Sequence, residues 1–527
     1  MDVLSLLADG ILIALEPANL LICFIGVVIG LFVGAMPGLG SVNGVAILLP
    51  TIFFIKSSTG SDAAPMIFLA AIYYGAMYGG AISSIMLGIP GASTAVATTF
   101  DGRPLALKGR AEQALVTAAL ASFIGGTIAN IFFTGFAPPL ADVALRFGNP
   151  EIFALMLLAF ATFVGLGGDD IAKTVISIMI GLVCASIGFD VIGGEPRLQF
   201  FDLAGFSRPI NFLVLAIGVY GVGEMLWTLH TTRGDSEMSK AEVSVAKIKN
   251  AAGNTVKEGW RGTSIGSALG FFVGILPAAG ATPGSLMAYG VSKMTSPKKE
   301  EFGKGSIDGV AAPEAANNSA STGAMLPMMT LGIPGSPTTA VLLTGLVLLD
   351  LEPGPRLFSD QPEFVWPVIG SFYISNFIAV IVNLAFIPVF LWMLRMPFTI
   401  LAPIIFVLST AGVYAATDSM FDVWLMFWFG LGAFMLRILD YPLAPAALAI
   451  VLGKITEETL RQSLQWSDGS FGIFFNPFFD RTGQGETFWI APIIGWIAVV
   501  LLLLPLFNLI RRKFAARRAG AEGHWQG

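Results

Sequence analysis

The residues of this chain best suited to chemistry are helix breakers and small hydroxyls, and they occur in two copies. Gly30-Leu-Phe-Val-Gly-Ala-Met-Pro-Gly-Leu-Gly40 is matched by Gly270-Phe-Phe-Val-Gly-Ile-Leu-Pro-Ala-Ala-Gly280, and Leu87-Gly-Ile-Pro-Gly91 by Leu331-Gly-Ile-Pro-Gly335. Small hydroxyl residues follow the second pattern each time: Ser93 and Thr94, then Ser336, Thr338 and Thr339. The two patterns stand 53 residues apart in the first copy (Pro37 to Pro90) and 57 in the second (Pro277 to Pro334). Proline removes a backbone donor and glycine lets the chain bend. A helix broken in this way exposes N–H groups at one end, which hold anions, and C=O groups at another, which hold cations.

The elements that position these breaks lie in lipid. Of the 527 residues, 55% are hydrophobic and 12% charged, and the mean hydropathy is +0.78. A soluble protein carries roughly a quarter charged residues. The composition excludes disorder, a nucleic-acid binder and a disulfide scaffold. The apolar runs are long and not alternating, which predicts an all-α polytopic membrane protein with roughly 10–14 membrane segments. Several runs are too short to span and adjoin Gly/Pro clusters, so they read as half-helices or re-entrant hairpins. Such breaks are tolerated at membrane depth only where protein or a water-filled cavity satisfies the backbone. His230 lies in a charged loop and His524 in the tail, which excludes a histidine base or histidine metal site in the membrane. Cys23 and Cys184 sit in apolar runs and read as packing residues. Gly262-Thr-Ser-Ile-Gly266 fits G-x-S-x-G but opens an apolar helix, not a strand-to-helix turn, so no enzyme is expected. No Lys or Arg precedes Lys56, and the first segment reads as retained rather than as a signal peptide.

Loop charge gives an orientation. The basic stretches 101–113, 228–262, 293–304 and the tail with Arg511, Arg512, Lys513, Arg517 and Arg518 are expected on the cytoplasmic side. The acidic stretch 350–363 is expected outside, as is 454–487. The loop after the first Leu-Gly-Ile-Pro-Gly is therefore inside and the loop after the second outside, so the repeats are read as inverted. Inverted repeats with broken helices in corresponding positions point to a secondary transporter with a midplane site. The organisation expected is 1–227 as the first repeat plus connecting spans and 228–262 as a cytoplasmic linker. Residues 263–487 form the second inverted repeat plus connecting spans, and 488–527 the last span and basic tail.

Candidate substrate-binding residues follow from the breaks: Pro37, Gly38, Gly40, Ser41, Asn43, Ser93 and Thr94 in the first copy, and Pro277, Gly280, Thr282, Thr338 and Thr339 in the second. Asn317, Asn318, Ser319 and Thr322 join them, because the second copy carries an amide- and hydroxyl-rich run where the first has Tyr73-Tyr-Gly-Ala-Met-Tyr-Gly79. Cation-coupling candidates are the break glycines Gly38, Gly91, Gly280 and Gly335, whose carbonyls are hard ligands, and Glu314. Glu314 reads first as a cap at a cytoplasmic hairpin entrance and second as a proton or cation group. Any one Gly, Ser or Thr reads first as ordinary helix packing; the paired breaks carry the functional reading. No Lys or Arg occurs in 262–292 or 305–355, so an anion here is held by helix N-termini and neutral donors. No cofactor or resident metal is expected, only a transient Na⁺ in preference to H⁺.

With these residues in view, the chain resembles the large membrane subunit of the tripartite tricarboxylate transporters, the TctA family. The resemblance is carried by Gly34-Ala-Met-Pro-Gly-Leu-Gly40, Tyr78-Gly-Gly-Ala-Ile-Ser-Ser-Ile-Met-Leu-Gly-Ile-Pro-Gly91, Asp101-Gly-Arg-Pro104, and Pro313-Glu-Ala-Ala-Asn-Asn-Ser319 with Leu331-Gly-Ile-Pro-Gly335. It covers essentially the whole chain. It implies a bacterial inner-membrane carrier that works with a small membrane subunit and a periplasmic solute-binding protein, and takes up a tricarboxylate or dicarboxylate on an ion gradient. The other readings are a passive organic-anion channel and a structural scaffold for a partner complex.

Overall fold

The computed structural model describes residues 3–36, 39–166, 170–190, 195–198, 204–231, 245–277, 279–393, 398–478 and 490–503. They are almost entirely helical. The helices in chain order are α1 (Val3–Ala14), α2 (Pro17–Ala35), α3 (Gly40–Leu48), α4 (Ile52–Thr59), α5 (Ala64–Leu87), α6 (Val96–Leu107), α7 (Ala111–Ala144), α8 (Asn149–Leu166) and α9 (Ile171–Ala185). Then come α10 (Phe212–Ala216), α11 (Gly223–Thr231), α12 (Val245–Glu258), α13 (Trp260–Ile275), α14 (Ala281–Thr295), α15 (Ile307–Leu331), α16 (Pro337–Leu348), α17 (Arg356–Asp360) and α18 (Pro362–Ala385). The last are α19 (Ile387–Met393), α20 (Phe398–Thr417), α21 (Met420–Ile438), α22 (Leu443–Trp466) and α23 (Gly472–Phe475).

Seven stretches among the described residues are long and apolar enough to cross a membrane, and six shorter apolar helices accompany them. This is the all-α polytopic membrane class that the composition predicts. The chain is a multi-pass membrane protein. Its long apolar run 11–36 is divided at Leu15–Glu16, where Pro17 opens α2. The apolar segment ending near 453 does not stop there: α22 continues to Trp466, with Thr459 and Ser463 buried on one face and the i,i+4 pairs Lys454–Glu458 and Glu457–Arg461 along the helix. The stretch 228–262 contains α12, whose Thr255 shares a hydroxyl hydrogen bond of 2.8 Å with Thr117 on α7.

The chain forms two compact units that cut across the repeat boundaries. One comprises 1–146 and 210–439, and holds both repeats. The other comprises 147–209 and 440–527. In that second unit α22 packs on α8 and α9, and Asp190, Arg197, Glu457 and Arg461 form one ion-paired cluster. The Arg197 guanidinium is held above its ordinary range, chiefly by its hydrogen bond to Glu457; desolvation opposes this, and the charges of Glu457 and Asp190 add to it.

In the first unit, two equivalent helix pairs carry the repeats. α2 lies along α5 through Gly26, Gly30 and Gly34, where a Cβ would collide with the carbonyl oxygens of Phe68, Ile72 and Ala76. α13 lies along α15 through Gly266, Gly270 and Gly274, opposite Ala312, Ala316 and Ala320 in the same way. The two registers correspond residue for residue. Small residues let backbones approach closely, which is how helices associate without a hydrophobic driving force in lipid. Each register rises together, so α2 runs parallel to α5, and α13 to α15.

Candidate functional site

α5 and α15 are buried along nearly their whole length. Each ends on a glycine in the left-handed region, Gly88 (φ 72°) and Gly332 (φ 69°), the first glycine of Leu-Gly-Ile-Pro-Gly. Each break after α2 and α13 also resumes helix at a left-handed glycine, Gly40 (φ 65°) and Gly280 (φ 67°). A side chain is strained in that region, which is why these four positions are glycine in both copies.

The depth of the breaks follows from the registers. Gly34, at the end of α2, opposes Ala76, halfway along α5; Gly274, at the end of α13, opposes Ala320, halfway along α15. Both breaks therefore lie beside the middle of a central helix. α5 and α15 cross with opposite sense. Tyr74 meets Thr322, and further along α5 the Met77 carbonyl meets Asn317. Thr98, after α5, meets Glu314. As α5 rises, α15 falls.

The four tips meet crosswise. Ser41, just after the first break, bonds Thr338, just after the second Leu-Gly-Ile-Pro-Gly, at 2.9 Å between hydroxyl oxygens. Thr282, just after the second break, bonds Ser93, just after the first Leu-Gly-Ile-Pro-Gly, at 3.1 Å. Within the second copy the Gly280 N–H donates to the Gly335 carbonyl at 3.0 Å. Ser285 donates to the Thr94 carbonyl at 2.9 Å, and Tyr73 reaches Ser336 at 3.4 Å. The two hydroxyl pairs differ in exposure: Ser41 and Thr338 are 5% and 3% exposed, whereas Ser93 is exposed and Thr282 half-buried.

The other expected site residues take distinct places. Pro37 and Gly38 lie outside the described residues. Pro277 is buried in the second break. The Asn43 amide donates to the Leu39 carbonyl and pins the first break. Thr339 completes a capping box with Ser336 at the start of α16, which satisfies N–H groups that would otherwise face a ligand. Gly91 packs under the Gly34 carbonyl and beside Ser83, and Gly335 against Ala324. Asn317 donates to the Met77 carbonyl at 3.2 Å and Asn318 to the Glu314 carbonyl at 3.3 Å. Ser319 donates to the Ser267 carbonyl on α13 at 2.6 Å, a helix clamp away from the tips. Thr322 meets Tyr74 at 2.5 Å.

Two buried amides, Asn130 and Asn376, are not among the expected site residues. The Tyr74 hydroxyl donates to Asn130 on α7 at 2.5 Å, and the Tyr78 hydroxyl to Asn376 on α18 at 2.5 Å. Asn376 in turn donates to Thr127 at 3.0 Å. Their signal was a lone polar side chain inside an apolar run. Asp101 is fully buried: one carboxylate oxygen accepts from the N–H groups of Gly303, Gly305 and Ser306 at 2.7–2.8 Å, the other from Tyr289 at 2.9 Å. Arg103 donates to the Met86 carbonyl at the end of α5. The Asp101-Gly-Arg-Pro104 motif thus ties the first tip to the segment that enters α15.

Chemically, the crossing offers neutral hydroxyl donors and the N-termini of α3 and α14. The matched family is described as the tripartite tricarboxylate transporter TctA family, and the match covers residues 20–448. The chain is similar to the "Uncharacterized 52.8 kDa protein in TAR-I ttuC' 3'region" of Agrobacterium vitis. That similarity is 38% identity over 517 residues, 97% of this chain and 99% of the relative. It is also similar to the "Uncharacterized protein in TAR-II ttuC' 3'region" of the same organism, at 35% identity over 237 residues, 45% of this chain and 94% of the relative.

Proposed function

The chain belongs to the TctA family of tripartite tricarboxylate transporters, and on that premise we propose that it is the subunit that carries a small tri- or dicarboxylate across the bacterial inner membrane. The substrate sits at the crossing of the four tips. The N-termini of α3 and α14 and the hydroxyls of Ser41, Ser93, Thr282 and Thr338 hold it, with Asn318 and Thr322 behind them. The observation that supports this reading best is the reciprocal pairing of Ser41 with Thr338 and of Thr282 with Ser93. It makes the crossing a two-sided element that can open toward either membrane face.

The repeats take inverted topology, with the C-terminus in the cytoplasm. A periplasmic binding protein delivers the carboxylate, and a small membrane subunit completes the carrier. A helix N-terminus supplies about half a charge, too little to neutralise a di- or trianion. Co-bound cations make up the balance and turn the inside-negative potential into a driving force, each charge being worth about 2.3 kcal/mol per 100 mV. Na⁺ is the coupling ion, because carbonyl and hydroxyl oxygens are hard ligands. The test is uptake of labelled citrate and succinate into vesicles that contain the chain and its small subunit, with binding protein supplied. A Na⁺ gradient should drive accumulation without a pH gradient. Flux that never exceeds equilibrium would make the protein a channel, and no flux a scaffold.

A further inference from the structure

Glu314 lies in the first third of α15 and is fully buried. Its carboxylate accepts from the Thr98 hydroxyl on α6 and, at 3.2 Å, from the Ser122 hydroxyl on α7. Small residues allow this convergence: Gly125 on α7 stands against the Ala315 backbone, where a Cβ would collide with the carbonyl oxygen. Tyr78 on α5 turns its hydroxyl to Asn376. Hydroxyls do not neutralise a carboxylate, and an uncompensated charge on a fully buried side chain is costly.

A second feature of the same helix stretch points to a ligand. The side-chain oxygens of Asn317 and Asn318, both fully buried, have no hydrogen-bond partner among the described residues. Asn318 stands one turn beyond Glu314, on the same face of α15. Residues 314–318 therefore present a carboxylate and two unsatisfied acceptor oxygens. A single proton on Glu314 satisfies at most one of those acceptors. A hard cation is coordinated by several oxygens at once.

We propose that Glu314, Thr98, Ser122 and Asn318 form a Na⁺ site inside the transport subunit, with Asn318 shared between the ion and the carboxylate site. Resting on the transport reading above, this places the coupling ion on the α15 segment that also carries Thr322, and so next to the crossing. Thr98 and Ser122 belong to the first half of the chain and Glu314 and Asn318 to the second, so the ion fastens the two repeats together.

The experiment uses the purified full chain in detergent with no carboxylate and no binding protein. Thermal stability is measured as NaCl replaces KCl at constant ionic strength. A ligand that binds the folded state raises its stability in proportion to its occupancy. The wild type should show a saturable, Na⁺-specific rise in melting temperature. Glu314→Gln should lose it while keeping its melting temperature in KCl. Ser122→Ala and Thr98→Val should raise the half-saturating Na⁺ concentration by roughly tenfold. A full Na⁺ response in Glu314→Gln, or none in the wild type, overturns the site. Because no substrate is present, a failure of carboxylate uptake would sink the transport reading and leave this result standing.

Discussion

Ser41 on α3 and Thr338 on α16 bring their hydroxyl oxygens within 2.9 Å of each other, and both side chains are buried. Ser93 and Thr282, each one residue out of register with those positions in the other repeat, also meet, at 3.1 Å, but Ser93 is exposed. Closely related contacts in the two repeats are thus buried in one place and open in the other. The exposed pair adjoins α6 and α14, whose following loops are basic and expected in the cytoplasm. In a background with Cys23 and Cys184 replaced, Ser93→Cys should react with a polar maleimide in inside-out vesicles and Ser41→Cys should not. Oxidation of the Ser41→Cys/Thr338→Cys pair should stop uptake, and reductant should restore it. Continued uptake after full cross-linking would mean that this contact never has to part.

Topology gives a second test. Ser359, after the second Leu-Gly-Ile-Pro-Gly, and Glu300, between α14 and α15, are both exposed. Intact cells should label Ser359→Cys and spare Glu300→Cys. Labelling in the opposite sense would reverse the assigned orientation, and labelling of both from one side would remove the inverted arrangement.

The glycine seams predict a sharp contrast in stability. A Cβ at Gly270 would stand 2.5 Å from the Ala316 carbonyl oxygen, a backbone atom that cannot rotate away. Gly270→Ala should cost about 1–3 kcal/mol or more. Gly290, on α14, has nothing within 4 Å of that position, and Gly290→Ala should be neutral or stabilising by up to about 1 kcal/mol. Thermal aggregation of the two purified variants measures the difference; equal midpoints would mean that the seam can relax.

Asp101 predicts a graded series. Asp101→Ala leaves the N–H groups of Gly303, Gly305 and Ser306 without their shared acceptor, at a cost of about 1–3 kcal/mol for each buried donor that finds no other partner. Tyr289→Phe removes one of the four donors and should cost about 1 kcal/mol. Melting curves that rank the two variants the other way would show that the latch works through Tyr289 and not through the loop backbone.

Asn318→Ala should cut carboxylate uptake strongly at normal membrane levels, since Asn318 stands between Glu314 and Thr322 on α15. Uptake at the wild-type rate would return Asn318 to a packing role.

Much of this protein is legible in its residues alone. Lipid leaves few solutions for a chain with so few charges, so composition decides the helical membrane class. The breaks are legible because Gly40, Gly88, Gly280 and Gly332 occupy backbone conformations that side chains resist, and that demand is written into residue type. The glycine spacing at 26, 30 and 34 is readable for the same reason and recurs at 266, 270 and 274. What residue type does not encode is which face of a helix meets which neighbour across more than 200 residues. Ser41 and Ser319 look alike in the sequence, yet one reaches a tip of the other repeat and the other clamps α13, because the crossing of α5 and α15 decides where each points. Asn130, Asn376 and Asp101 acquire partners only when α7, α18 and the loop before α15 are packed. The unlike exposure of the two tip pairs is a property of the assembled helices, since nearly equivalent residues occupy both places.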